Sequence, residues 1–271
     1  MNTKLLTYGN SEFFINNAKN LCQSALSVGF DSTILITENE LKQDSFWKEN
    51  STILNSVRGG GYWLWKPFII KSVLERCKND EILVYSDAGK NSYYKFKKFP
   101  KSLVEKVKKN KTGYLLGPAL FQHGPLRNWT KRDCLKLMDT DRDEIFDRPL
   151  IQATWSLWRP TKDSFEFLDQ WLQYSKDPRC LTDIDNTLGY DNYDGYVDHR
   201  HDQSIVTLLA YSLNSEFLDF SSTGLFEILS KRPQSSISHN FLKRIDDAEN
   251  LLTGKSAIRS LLESFITYKL K

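Results

Sequence analysis

Short apolar runs and longer stretches of helical spacing alternate along the first half of the chain. Lys4–Tyr8 reads as a strand broken by Gly9 and Asn10. Phe13, Phe14, Asn17, Ala18, Leu21, Cys22, Ala25 and Leu26 then recur at i, i+4 spacing and predict a helix closed by Gly29. Thr33–Thr37 is a second strand, and this β-α-β opening predicts a parallel sheet with crossover helices. Pro67 fits the first turn of a further helix, where its missing N–H removes nothing, and Phe68, Ile69, Ile70, Val73, Leu74 and Cys77 give that helix its apolar face. Ile82–Tyr85 is the nearly all-apolar kind of strand that is buried on both sides, and it runs straight into Ser86-Asp87-Ala88-Gly89.

Beyond it, the pattern predicts a basic helix over 100–110 and a strand over 113–117. The Trp-rich stretch 129–180 reads as helical throughout, Leu181–Asp198 as a polar Gly- and Asp-rich loop, and 205–211 as a helix begun by Asp202 and Gln203. From 232 the chain turns basic and Ser-rich before an amphipathic helix over 255–270. The expected organisation is therefore a mixed, mostly parallel α/β domain over 1–231 and a basic helical extension over 232–271.

Composition narrows the function classes. Of 271 residues, 37 are basic and 34 acidic, a balance that argues against bulk nucleic-acid binding. Cysteines 22, 77, 134 and 180 form no C-x-x-C and match no zinc spacing, so reduced thiols are expected. The opening residues lack an apolar signal core and no 18-residue apolar run occurs, so the reading is a soluble, cytoplasmic protein. The final helix carries Lys255, Arg259, Lys269 and Lys271, but Glu263 dilutes the charge, and packing in water is preferred over a membrane surface.

Three groups of residues suggest chemistry. Asp87 ends a buried strand, where a carboxylate reaches a ligand bound outside the sheet, or merely caps a turn before Gly89. Gly59, Gly60 and Gly61 lie between Arg58 and Lys66, two cations suited to offsetting a diphosphate, although a flexible turn beside a Trp-rich core explains the glycines as well. Asp198-His199-Arg200-His201-Asp202-Gln203 packs three ionisable types together. Burying them calls for a ligand, a metal or an ion-pair network, whereas a solvated helix start would leave them ordinary. Asp139–Asp143 begins like an EF-hand, but Glu144 and Leu150 stand where glycine and glutamate are required. Asp183-Ile184-Asp185 is a literal D-x-D with no strand before it, read as a solvated loop able to line a cleft. Tyr62, Trp63 and Trp65 are read as core, with one ring left to stack on a ligand.

The order of Lys66, helix, apolar strand and Tyr85-Ser86-Asp87-Ala88-Gly89 resembles nucleotide-sugar glycosyltransferases of the Rossmann-like GT-A fold. Gly61–Pro67 and His199–Ser204 resemble most closely a group of bacterial and viral glycosyltransferases. The resemblance covers residues 1–215. It implies a hexosyltransferase that moves sugar from a nucleoside diphosphate, most simply UDP, to a glycan acceptor in polysaccharide biosynthesis. It places Thr7 and Tyr8 at the base, Lys66 at the phosphates, and Asp202 and Gln203 at the sugar. Asp87 matches the first carboxylate of D-x-D, while Gly89 replaces the second. A Mn2+ or Mg2+ ion would thus need Asp87 together with His199 or His201. Two rival readings stay open: a metal-dependent phosphoesterase using Asp87, His199, His201 and Asp202, and a noncatalytic sugar- or protein-binding module.

Overall fold

The computed structural model describes residues 2–89 and 94–218. Strand β1 (Thr3–Gly9), helix α1 (Glu12–Ser27) and strand β2 (Ser32–Thr37) form the expected unit, β1 and β2 pairing in parallel. Ser11 caps α1 by accepting a hydrogen bond from the Phe14 N–H. Helix α2 (Trp65–Leu74) carries Pro67 in its first turn and leads to β3 (Ile82–Ser86), which pairs in parallel with β1 on the side away from β2. Helix α3 (Lys101–Lys109), strand β4 (Tyr114–Leu116), strand β5 (Trp155–Trp158), helix α4 (Lys162–Ser175) and helix α5 (Asp202–Ser212) complete the described elements used below.

The five strands lie in the order β2-β1-β3-β5-β4. Four run in one direction; β5 opposes them and is antiparallel to both β3 and β4. The fold is thus α/β, a mixed sheet with most strands parallel and helices on both faces. Alternation along each strand divides the core. Leu5, Val84, Trp155 and Leu157 face α1 and α3, where Leu21, Ala25, Leu103 and Val107 meet them. Leu6, Tyr8, Tyr85 and Trp158 lie in the opposite core with Ile69 and Ile70 of α2, Phe167 and Trp171 of α4, and Leu208 of α5. Helix α5 is buried on nearly every side, as its all-round apolar sequence requires.

Strand β5 corrects the helical reading of 129–180. Four residues are too few to display a period, and Trp155 and Trp158 enter opposite cores, so the run is apolar on both faces. All four cysteines are free, three of them buried. Among the described residues no helix is long and apolar enough to cross a membrane. The extension from 232, including the helix expected over 255–270, lies outside the described residues.

Candidate functional site

Strand order reverses at β1: the chain goes to β2 on one side by way of α1, then returns to β3 on the other by way of α2. At such a switch point the carboxyl ends of two neighbouring strands open a crevice. Thr7 and Tyr8 lie near the carboxyl end of β1, and Asp87 immediately follows β3. The hydroxyls of Thr7 and Tyr8 are buried and have no hydrogen-bond partner. Such orphaned groups are costly unless a ligand satisfies them. Tyr8 stacks on Trp65 with ring centroids 3.9 Å apart, and burial pushes its phenol up, so it stays neutral.

Asp87 is held from several directions. Its N–H donates to the Thr154 carbonyl at 2.8 Å, coupling it to the segment that enters β5. The Tyr85 hydroxyl donates to its Oδ1. Lys66 Nζ lies 3.4 Å from the same oxygen and donates to Asp202 Oδ2 at 2.7 Å and to the Ala153 carbonyl at 3.2 Å. Gly89, at φ 79°, ends the segment; a Cβ there would lie 2.0 Å from the Tyr94 ring, and its carbonyl accepts from buried Asn17 at 3.0 Å.

Lys66 and Asp202 are 2% and 4% exposed, whereas a quarter of the Asp87 side chain reaches solvent. Burial opposes the Lys66 charge, but Asp202 and Asp87 together hold its pKa above the ordinary value. Burial raises Asp202 to about 6, with the Asp87 charge adding to the rise and Lys66 opposing it. The ammonium lies 5.7 Å from the centre of the Tyr85 ring and 5.9 Å from that of Trp65. The arrangement is one cation shared by two carboxylates, of which only Asp87 faces water.

This differs from the expected role of Lys66. Its ammonium donates to Asp202 and the Ala153 carbonyl and pairs with Asp87 at 3.4 Å, so its contacts are with protein groups and it is almost wholly buried. Arg58 is likewise engaged, 3.0 Å from Asp183 and 3.2 Å from Asp198. The glycines between them form a left-handed turn in which Gly59, Gly60, Gly61, Tyr62 and Trp63 all have positive φ. A Cβ on Gly61 would sit 2.6 Å from the Leu54 backbone. From Gly60 to Trp63 the N–H groups of the turn bond back to the chain, Gly60 to Val57 O and Gly61 to Ser56 O among them, and so do not cradle an anion.

The structure does not assemble Asp87, His199 and His201 as a metal site. His199 uses both ring nitrogens: Nε2 donates to the Cys180 carbonyl at 2.7 Å, and Nδ1 accepts from the Lys131 N–H at 3.3 Å. Burial and the neighbouring His201 keep its pKa well below the ordinary value, so it is a neutral brace between three segments. Lys66 already bridges Asp87 and Asp202. Among the described residues no three His, Cys, Asp or Glu side chains are grouped to hold a metal ion. The described residues, as arranged here, do not fit the divalent ion implied by the resemblance.

Gln203 donates to the Ile151 carbonyl at 3.0 Å and steadies the segment that presents Ala153. It belongs to the support of Lys66. Tyr85, Thr154 and the Ala153 carbonyl escaped the sequence reading. A backbone acceptor carries no sequence signal, and Tyr85 was legible only as an apolar strand residue.

No protein-family model matches the chain, and no curated protein matches it. Among solved structures it is similar to the apo WbbM bifunctional glycosyltransferase, with a TM-score of 0.46 and 11% identity over 80% of this chain. The chain spans 38% of that protein's length. It is also similar to a glycosyltransferase involved in glycosylation of the major capsid of PBCV-1, with a TM-score of 0.33 and 12% identity over 84% of this chain and 96% of that one. A third similarity is to the galactosyltransferase LgtC in complex with donor and acceptor sugar analogues, with a TM-score of 0.34 and 13% identity over 76% of this chain and 70% of that one.

Proposed function

We propose that the chain is a glycosyltransferase that takes a hexose from a nucleoside-diphosphate sugar, most simply a UDP-hexose, and transfers it to a glycan acceptor. The observation that carries this reading is a water-reaching carboxylate, Asp87, at the carboxyl edge of the β1/β3 switch point, beside the orphaned hydroxyls of Thr7 and Tyr8. In this reading the nucleoside occupies the crevice on the Tyr8 side of the sheet, the face that also carries Tyr85, and the sugar it carries comes to Asp87.

Glycosyl transfer develops positive charge at the anomeric carbon. A fixed carboxylate stabilises that charge and accepts hydrogen bonds from the sugar hydroxyls. Tyr85 and Lys66 hold Oδ1 of Asp87 in place, so its orientation is set before substrate arrives. Lys66 and Asp202 act as positioning residues behind it, and His199 as a brace. A phosphoesterase would need His199 and Asp202 free to ligate, and neither is.

The test is a thermal-shift panel of UDP, GDP and their hexose conjugates, followed by donor turnover with wild type and Asp87→Asn. Stabilisation by a nucleotide, with turnover lost in the variant, supports the reading. No response to any nucleotide, with phosphate released from simple esters, would replace it with the phosphoesterase.

A further inference from the structure

A cavity of about 790 Å³ lies beside the 183–198 loop and is lined mainly by polar side chains, among them Arg58, Asp183, Tyr190, Asn192, Tyr196 and Asp198. Its size is that of a small-molecule site. Asp87, Lys66 and His201 are not among its lining residues, but Asp183, which is, lies 3.7 Å from His201, the residue before Asp202. The loop lacks regular structure but is firmly built. The buried Asp133 carboxylate accepts from the Thr187 N–H at 2.6 Å, the Thr187 hydroxyl at 2.9 Å and the Leu188 N–H at 3.2 Å. Asn186 and Asn192 accept from the N–H groups of Asp133 and Arg132, at the start of the helical turn Arg132–Leu137.

His201 is the residue this framework leaves unsatisfied. It is 3% exposed, and its ring lies 5.0 Å from that of Tyr62 and 5.6 Å from that of Trp63. Nδ1 lies 2.8 Å from the Leu181 carbonyl, which only accepts, so the proton is on Nδ1 and Nε2 is an acceptor. Burial keeps the ring below its ordinary pKa and therefore neutral. Nε2 is buried with no hydrogen-bond partner, and at 3.7 Å it faces Oδ1 of Asp183, a second acceptor that lines the cavity. Two acceptors facing one another call for a donor between them.

We propose that this cavity binds a neutral, hydroxyl-rich saccharide, one hydroxyl of which donates to His201 Nε2 beside Asp183. If the chain transfers sugar as proposed above, this saccharide is the acceptor. Charge selects the class. Asp183, Asp185, Asp191 and Asp198 line the cavity against Arg58 and Lys131. Arg58 pairs with Asp183 and Asp198, and Lys131 Nζ donates to the Ile184 carbonyl at 2.9 Å. Four carboxylates against two cations leave the lining net negative, which disfavours a carboxylate or phosphate on the ligand, whereas the carboxylates and amides suit hydroxyls.

The test uses the full-length chain without nucleotide, and saturation-transfer NMR with lactose, maltose and cellobiose, set against glucuronate and lactobionate. Binding of at least one neutral disaccharide is expected near about millimolar affinity, with no signal from the anions. His201→Phe and Asp183→Asn should each weaken it about tenfold, the scale of one lost hydrogen bond. If His201→Phe does not fold, Asp183→Asn carries the test, because that side chain is one-third exposed. Absence of neutral binding, binding of the anions alone, or undiminished affinity in the folded variants overturns the proposal. Donor turnover is measured separately on wild type. Saccharide binding without donor turnover sinks the transferase and keeps the site, while turnover without saccharide binding does the reverse.

Discussion

Lys66 and Asp202 stand 136 residues apart in the chain and meet at 2.7 Å where both are almost wholly buried. One ammonium there serves two carboxylates, and the second, Asp87, is the one that reaches water. The pair joins the start of α2 to the start of α5 and fixes the side chain on which the proposed chemistry depends. It is a demanding construction, because each member is expensive to bury without the others.

Removing the cation alone is expected to be severe. Lys66→Met leaves Asp202 uncompensated in the interior and should cost about 3–5 kcal/mol of stability, as broken buried ion pairs do. The double variant Lys66→Met, Asp202→Leu removes both charges and should recover most of that loss. Urea unfolding of the three proteins completes the cycle. A Lys66→Met protein as stable as wild type would show that the ammonium is hydrated.

Asp87→Asn keeps the shape of the side chain and the oxygen that faces Tyr85, but discards the charge. Donor turnover should fall by about a hundredfold or more, the usual scale for losing a fixed group that stabilises transition-state charge. The melting temperature checks the alternative, in which Asp87 only secures the turn before Gly89. In that case unfolding, not turnover, would respond.

The Asp202 carboxyl is expected to titrate near pH 6 instead of its ordinary 3.8. The folded chain therefore holds a proton that the unfolded chain has already released. This group's contribution to stability is fully present below about pH 4 and is lost as pH rises through about 6. Isotope-edited infrared or carbon NMR of the carboxyl reads the titration directly. Asp87→Asn should lower the value by removing a like charge. An Asp202 carboxyl already ionised at pH 4 would contradict the burial that the geometry gives it.

Two glycines separate backbone freedom from close packing. Gly29 has φ 110° and open space around its missing side chain, so Gly29→Ala meets only the left-handed penalty, about 1 kcal/mol. Gly61 has φ 91° and the Leu54 backbone 2.6 Å from where a Cβ would lie. Gly61→Ala should therefore cost well above that amount, since backbone must move to make room. Thermal unfolding of both proteins measures the difference, and equal losses would mean that the turn adapts freely.

Much of the fold was present in the sequence as periodicity. The β-α-β opening, α2 with its early proline, the buried strand ending at Asp87, and α5 starting at Asp202 are all local patterns of apolar spacing and punctuation. Each depends on residues within a few positions of one another, which is why a linear reading finds them. Strand β5 was not legible, because four residues buried on both faces carry no period. The residue types of the site, Asp87, Lys66 and the His199–Gln203 run, also stood out, because charge and imidazole next to apolar runs are costly. Their partners did not. Only packing α2 and α5 on one face of the sheet brings Lys66 to Asp202 and Asp87, and this converts a residue suited to phosphate into the support of two carboxylates. The same packing separates two histidines that are equivalent in sequence. Both nitrogens of His199 are consumed by backbone, while one nitrogen of His201 is left facing Asp183. Hydrogen-bond saturation is a property of three-dimensional neighbours, and so it was the tertiary structure that decided which of these polar residues remain available to a ligand.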